Sequence, residues 1–146
     1  MKGNYCLIIK NKKQNKVKIG AIGSIDFKEG FYVYIGSAMN SLIPRIKRHL
    51  SDEKKIHWHV DYLLKSKNTS IEEVFFNIGE EKIECELARI ISKEGKEIAS
   101  FGSSDCNCNS HLIYFENIEK SLDSVKKGYN NLNTDYNNLN YLKTLD

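Results

Sequence analysis

The chain has 146 residues, 40% hydrophobic and 28% charged, with a formal net charge of +3 at pH 7. This length and composition fit one globular domain with its own core, and argue against a disordered or fibrous chain. No apolar run reaches the roughly 18 residues of a spanning helix, and the first residues do not resemble a secretory signal. We therefore expect a cytoplasmic protein that does not enter the membrane.

The charge is unevenly distributed along the chain. Residues 1–50 contain ten Lys and Arg against two acids, a net +8, whereas residues 51–116 contain eight against thirteen, a net −5. A basic region beside an acidic one suits a polyanion such as nucleic acid on one side and a metal ion on the other. A solvated, lysine-rich surface explains the same distribution equally well.

The first third of the chain alternates strands with turns and then changes to helical periodicity. Asn4–Lys10 and Lys16–Ile22 are rich in β-formers and flank a polar loop, which predicts a hairpin. Phe31–Gly36 is aromatic and β-branched, which predicts a third strand. Ser41–Leu50 has an apolar stripe of helical spacing, with a proline in the first turn where proline is tolerated.

The middle of the chain predicts two further helices and two further strands. The helices are His57–Ser66 and Ile83–Ser92, and the strands are Ile71–Ile78 and His111–Phe115. The order predicts an α+β fold, with a small mixed, largely antiparallel β-sheet flanked by helices. The expected core comprises Leu7, Ile9, Val33, Ile35, Ile46, Leu63, Phe75, Leu87 and Ile90.

Residues 117–146 differ in character from the domain expected at residues 1–116. The sequence of Tyr129–Asn133 recurs at Tyr136–Asn140, and apolar residues follow a 3,4 spacing. This spacing predicts a helix that packs, self-associates or binds a partner protein. Asparagine forms helices poorly, so a loose tail is the alternative.

Two tyrosines and one helix carry residue types suited to phosphate chemistry. If the strands of Tyr5 and Tyr34 are neighbours, their hydroxyls can converge and orient a water, although core packing is the commoner fate of such residues. Arg45 and His49 lie one helical turn apart. Arginine supplies permanent charge for phosphate oxygens, and histidine can transfer a proton.

A carboxylate on the third predicted helix offers a ligand for a hard divalent ion. Glu86 lies among the apolar residues of that helix, and Glu84 is its competitor two residues earlier. Helical carboxylates are more often solvated or paired with a cation, so the assignment depends on what surrounds them.

Taken together these residues resemble the GIY-YIG nuclease superfamily. The motifs are Gly3-Asn4-Tyr5, then Tyr34-Ile35-Gly36-Ser37-Ala38, then Arg45 with Lys47-Arg48-His49, then Glu86. The segments His57-Trp58-His59-Val60-Asp61, Glu84-Cys85-Glu86-Leu87-Ala88 and residues 101–111 are similar to its compact Uri-type branch. The resemblance spans roughly residues 3–116.

The resemblance implies an endonuclease that hydrolyses DNA phosphodiester bonds with Mg²⁺ or Mn²⁺. Tyr5 and Tyr34 would surround the attacking water, Arg45 would stabilise the transition state, and His49 would assist proton transfer. Glu86 would hold the metal, and the expected DNA contacts are Ser37, Lys47 and Arg48. A nucleic-acid-binding or repair-partner module that does not cleave is the alternative on the same fold.

Two departures from the motif bear on this interpretation. Asn4 replaces an apolar residue, which matters little because alternate strand residues point to opposite faces. The separation of Tyr5 from Tyr34 exceeds the usual hairpin of that family, so the resemblance implies an extra N-terminal hairpin strand between them.

Cysteine and histidine residues pose a separate question. The candidate zinc ligands are His57, His59, Cys106, Cys108 and His111. A C-x-C spacing is tighter than that of zinc knuckles, so a hydrogen-bonded loop with reduced thiols is the preferred interpretation. We expect Cys6 and Cys85 to be small buried residues.

Overall fold

The computed structural model describes residues 1–52, 55–102 and 108–145, which form two antiparallel sheets and five α-helices. The strands are β1 (Gly3–Asn11), β2 (Asn15–Lys18), β3 (Ser24–Phe27), β4 (Gly30–Ala38), β5 (Thr69–Ile78), β6 (Lys96–Glu97), β7 (Leu112–Phe115) and β8 (Asn137–Asn138). The helices are α1 (Leu42–Leu50), α2 (His59–Leu64), α3 (Glu84–Ser92), α4 (Ile118–Asn131) and α5 (Leu139–Leu142). These elements confirm the predicted α+β class.

The six-stranded sheet has the order β6-β7-β4-β1-β5-β8, and every neighbouring pair is antiparallel. β1 lies in the interior of the sheet because its run Cys6–Ile9 is apolar toward both faces. Leu7 and Ile9 pack beneath α1 and α2, whereas Cys6 and Ile8 pack beneath α3 and α4. The sheet therefore has helices on both faces.

The extra N-terminal strand is present, but it does not pair as the sequence suggests. We expected Lys16–Ile22 to form a hairpin with the first strand; instead β2 pairs with β3 in a separate two-stranded sheet. A 3₁₀ turn at Gly20–Ile22, entered through a left-handed glycine at position 20, ends the strand early. β1 and β4 pair directly from Gly3–Ala38 to Asn11–Gly30, so the insertion leaves their register intact.

The segment after Glu116 contributes to the core. Asn117 caps α4 by accepting a hydrogen bond from the Lys120 amide. Gly128 lies against α3, where an added Cβ would stand 3.1 Å from Leu87 Cδ2, and Tyr129 is fully buried. The apolar seam, predicted to pack or to self-associate, thus covers the chain's own sheet and α3.

The helix does not continue through the second copy of the repeat. It ends at Asn131, and Asn133 adopts a left-handed conformation that asparagine tolerates better than most residues. The second copy forms β8 and α5. The rings of Tyr129 and Tyr136, equivalent in the two copies, stack at 5.1 Å.

Eight of the nine predicted core residues are buried. The exception is Ile90, which is half-exposed because Ile91 takes the buried position on α3. The described residues contain no helix with the length and hydropathy needed to cross a membrane.

Candidate active site

Tyr5 and Tyr34 lie on one face of the sheet. Because Tyr5 pairs with Gly36 and Leu7 with Tyr34, both tyrosines point toward the α1 side, with ring centroids 6.3 Å apart. The predicted convergence of the two side chains is present, and both are buried. Gly36 makes room for it, since a Cβ there would stand 2.6 Å from the Tyr5 hydroxyl oxygen.

α1 places Arg45 above this tyrosine pair. The helix docks through its buried residues Leu42 and Ile46. The Nη1 atom of Arg45 donates to the Ser37 carbonyl at 2.7 Å, and its guanidinium lies 4.8 Å from the ring centroid of Trp58. A permanent positive charge is therefore held from two sides at the edge of the cleft.

His49 connects Tyr5 to a buried carboxylate. Its Nε2 atom lies 2.9 Å from the Tyr5 hydroxyl, and its Nδ1 atom lies 3.9 Å from Asp61 Oδ1. His49 and Asp61 are both buried. The three side chains form a Tyr–His–Asp series that leads from the cleft into the core.

Asp61 is a member of the site that the sequence analysis did not identify. Its Oδ2 atom accepts hydrogen bonds from the backbone amides of His57 and Trp58, which places the start of α2 at His59 rather than at His57. Burial raises the pKa of Asp61, but hydrogen bonds from Arg48 and these two amides outweigh it and hold the pKa below its usual value. Asp61 is therefore ionised at neutral pH.

The guanidinium of Arg48 is hydrogen-bonded within the protein and is not directed toward a DNA-binding surface. Its guanidinium donates to both Asp61 oxygens, at 3.1 and 3.2 Å, and to the Lys55 carbonyl, and it lies over the Trp58 ring. The expectation of a DNA contact at Arg48 does not fit this arrangement. Lys47 is exposed and donates to the Leu145 carbonyl.

Glu84, not Glu86, is the carboxylate of the cleft. Glu84 begins α3 and borders the cleft with its side chain one-fifth exposed, whereas Glu86 is absent from the lining. Two residues along a helix correspond to about 200° of rotation, so the two carboxylates face different directions. The competitor weighed in the sequence analysis thus occupies the position expected of Glu86.

The cleft has a volume of about 300 Å³. Its lining comprises Tyr5, Tyr34, Gly36, Ser37, Arg45, Trp58, Lys82, Glu84, Gly102 and His111. Burial raises the pKa of Tyr5 well above its usual value; Tyr34 and Glu84 add to this, and Arg45 opposes it. Burial likewise raises the pKa of Tyr34, so both phenols are protonated at neutral pH.

A family model matches most of the chain. The model of the family described as domain of unknown function DUF123 matches residues 4–134, most of the chain. The chain belongs to DUF123. The matched part of this DUF123 member includes every cleft residue and α4. No curated protein and no solved structure matches the chain.

Among the described residues of this DUF123 member, the histidines and cysteines named as candidate zinc ligands do not come together as one set. His57 is exposed, and His59 Nδ1 accepts a hydrogen bond from the Gly102 amide at 2.9 Å. Cys106 lies outside the described residues. Cys108 and His111 instead meet Cys85, with their ligand atoms all within 4.8 Å of one another.

Cys85 is the member of this group that the sequence analysis interpreted differently. It is half-buried, whereas Cys6 is buried as expected. Its only sequence signal is its place beside Glu84 in the first turn of α3.

Proposed function

We propose that this chain is a divalent-metal-dependent endonuclease that hydrolyses DNA phosphodiester bonds in the cleft between α1 and α3. The main support is the convergence of Tyr5, Tyr34, Arg45 and Glu84 around one small cleft, with His49 hydrogen-bonded behind Tyr5. Local motifs alone would not require these side chains to meet. The resemblance to GIY-YIG nucleases in the same residues supports the same chemistry.

The cleft residues fit a hard divalent ion. Mg²⁺ prefers oxygen ligands and retains several waters, so it is often held by only one or two carboxylates. Glu84 supplies one partly exposed carboxylate, and no thiol lines the described part of the cleft. Glu84 would hold the ion, which when bound neutralises phosphate oxygens and makes a bound water more acidic.

Arg45 is positioned to stabilise negative charge on the phosphate. Its hydrogen bond to Ser37 and its stacking on Trp58 fix the guanidinium before substrate binds. Fixed donors and charges aimed at the developing charge reduce the barrier without reorganisation during the reaction. Lys82 adds a second cation to the cleft.

Tyr5 relays a proton and is not itself a deprotonated base before the reaction. Because burial keeps its phenol protonated, Tyr5 can accept a proton from the attacking water only as it passes its own to His49. The Asp61 carboxylate beside Nδ1 favours the tautomer that leaves Nε2 as the acceptor. Asp61 then stabilises the imidazolium that forms.

DNA as the polyanion agrees with the charge distribution of the chain. The net +8 of residues 1–50 includes α1 and both strands that carry the tyrosines. Ser37 at the end of β4 and Lys47 on α1 would contact the backbone near the cleft.

The decisive experiment compares Glu84→Ala with Glu86→Ala on a panel of single-stranded, duplex, flap and junction DNAs. Reactions contain Mg²⁺ or Mn²⁺, with EDTA as the negative control. We expect the parent and Glu86→Ala to cleave at least one substrate, and Glu84→Ala to be inactive with an unchanged circular dichroism spectrum. Salt-sensitive binding without any metal-dependent product would instead support the non-cleaving module.

A further inference from the structure

A cluster of two cysteines and one histidine lies next to the proposed catalytic cleft. Cys85 comes from the first turn of α3, and Cys108 and His111 come from the segment that leads into β7. Their three potential ligand atoms lie within 4.8 Å of one another, and Cys85 Sγ is 3.8 Å from His111 Nε2. Residues far apart in sequence thus bring two sulfurs and one imidazole nitrogen together.

The separation of Cys85 Sγ from His111 Nε2 is close to that in a tetrahedral zinc site. With Zn–S near 2.3 Å and Zn–N near 2.0–2.1 Å, a tetrahedral ion separates the sulfur and the nitrogen by about 3.6 Å. The distance between Cys85 and His111 needs little adjustment to reach this value. We propose that Cys85, Cys108 and His111 bind a zinc ion through two thiolates and one imidazole.

A cavity beside the cluster gives the ion access and room for a fourth ligand. It has a volume of about 580 Å³ and is lined by both cysteines together with Arg89, Ser92 and Glu97. Three protein ligands next to open space are typical of zinc sites that keep one position for water or an added ligand.

The second nitrogen of His111 also has an environment suited to a metal ligand. Its Nδ1 atom lies 3.9 Å from Glu84 Oε2, while its Nε2 atom is directed toward Cys85. Histidines that bind metals usually present their other ring nitrogen to a carboxylate or carbonyl, which fixes the ring orientation. The Glu84 carboxylate lies beyond hydrogen-bonding distance of this nitrogen, so we assign Glu84 a positioning role through its charge, beside the hydrogen bond between His111 and the Gly102 backbone.

The donor set distinguishes this site from the cleft. Thiolates and imidazole favour zinc over magnesium, whereas carboxylate and hydroxyl oxygens favour magnesium or manganese. The zinc proposal goes beyond the nuclease proposal and does not depend on it, because metal binding can be measured without any DNA.

The test uses the full chain, purified without chelator, and measures its zinc content and its spectrum after replacement of zinc by Co²⁺. We expect one equivalent of zinc per chain and cobalt absorption bands that report thiolate ligation. Replacement of both Cys85 and Cys108 by serine should abolish both signals, whereas Cys6→Ala, a buried cysteine outside the cluster, should retain them. If the double variant fails to fold, titration of the metal-free parent protein with ZnCl₂ still measures whether the chain binds zinc.

A second pair of variants tests the positioning role of Glu84. Glu84→Gln should weaken zinc binding about tenfold, because loss of a partner to a metal-bound histidine typically costs 10- to 100-fold in affinity. Glu86→Gln, altered at a carboxylate outside the cleft, should bind zinc like the parent. Parent protein that binds neither Zn²⁺ nor Co²⁺, or thiolate bands that survive loss of both cysteines, would overturn the proposal whatever the cleavage assay shows.

Discussion

The oxygen-rich cleft and the sulfur cluster share His111 and otherwise present different donor atoms. The cleft presents phenol, guanidinium and carboxylate groups, whereas the cluster presents two sulfurs and an imidazole nitrogen. Consecutive residues of α3, Glu84 and Cys85, supply one group to each. Because successive helical residues point about 100° apart, one turn of helix can serve two neighbouring sites of unlike chemistry.

The sharpest way to separate the two sites is to remove the fixed charge of the cleft. Arg45→Ala should reduce cleavage about 1,000-fold, in line with the loss of one preorganised charge donor. Zinc content should stay at the parental value. Arg45→Lys is the matched control and should recover part of the rate, since it keeps the charge but loses the planar fork. Cleavage by Arg45→Ala at the parental rate would remove Arg45 from the mechanism.

Loss of the Tyr5 hydroxyl should have a somewhat smaller effect. Tyr5→Phe keeps the ring and should lower kcat about 100-fold, within the range typical of proton-transfer groups. Because burial raises the pKa of Tyr5, the parental rate should not follow its ionisation anywhere below about pH 10. If the parental cleavage rate instead rises steadily with pH up to about pH 10, and this rise is absent in Tyr5→Phe, Tyr5 acts as a phenolate base. The measurement is single-turnover cleavage across pH.

The carboxylate behind the cleft should matter most for stability. Asp61→Asn disrupts the paired charge of Arg48 and should cost about 2–3 kcal/mol in the free energy of unfolding, measured by urea titration. The folded pKa of Asp61 is depressed, so its contribution is complete above the unfolded pKa near 3.9 and is lost as pH falls through the folded value. The variant should show a weaker loss of stability below about pH 4. Equal acid sensitivity in both proteins would contradict this assignment.

The smallest effect is expected on α1, where Lys47 and Arg48 are neighbours in sequence but make different contacts. Lys47→Ala should weaken DNA binding slightly and reduce the salt dependence by about one phosphate contact. Arg48→Met should lower the melting temperature and leave the salt dependence unchanged, because its guanidinium is bound to Asp61. The reverse pattern would restore Arg48 as the DNA contact.

Local parts of the site were predictable from sequence because their geometry is local. The path from Tyr34 to His49 is a strand, a turn and a helix, and helical periodicity alone places Arg45 and His49 on one face. The choice between Glu84 and Glu86 was not predictable, because it depends on how α3 docks against the sheet. Asp61 was not predicted, because the sequence around a helix-capping carboxylate does not show that it will face a histidine from another helix.

The partners of strands and helices were the part of the fold that could not be predicted from the sequence. Strand composition predicted β1 and β4, but nothing in the sequence of β2 says that its partner is β3 rather than β1. In the same way, the heptad-like spacing of α4 indicates an apolar face and does not say which surface covers it. The asparagines at the end of α4 did indicate that the helix would stop there, because asparagine disfavours one continuous helix.

Gly36 makes the cleft vulnerable to a single methyl group. Gly36→Ala would place that methyl against the buried ring of Tyr5 and displace its hydroxyl from His49, while every ionisable group of the protein stays in the sequence. Such a variant would serve as a silenced protein for trapping bound DNA, with the parental charge and an unaltered cysteine content. One added methyl group at Gly36 would thus disable the cleft.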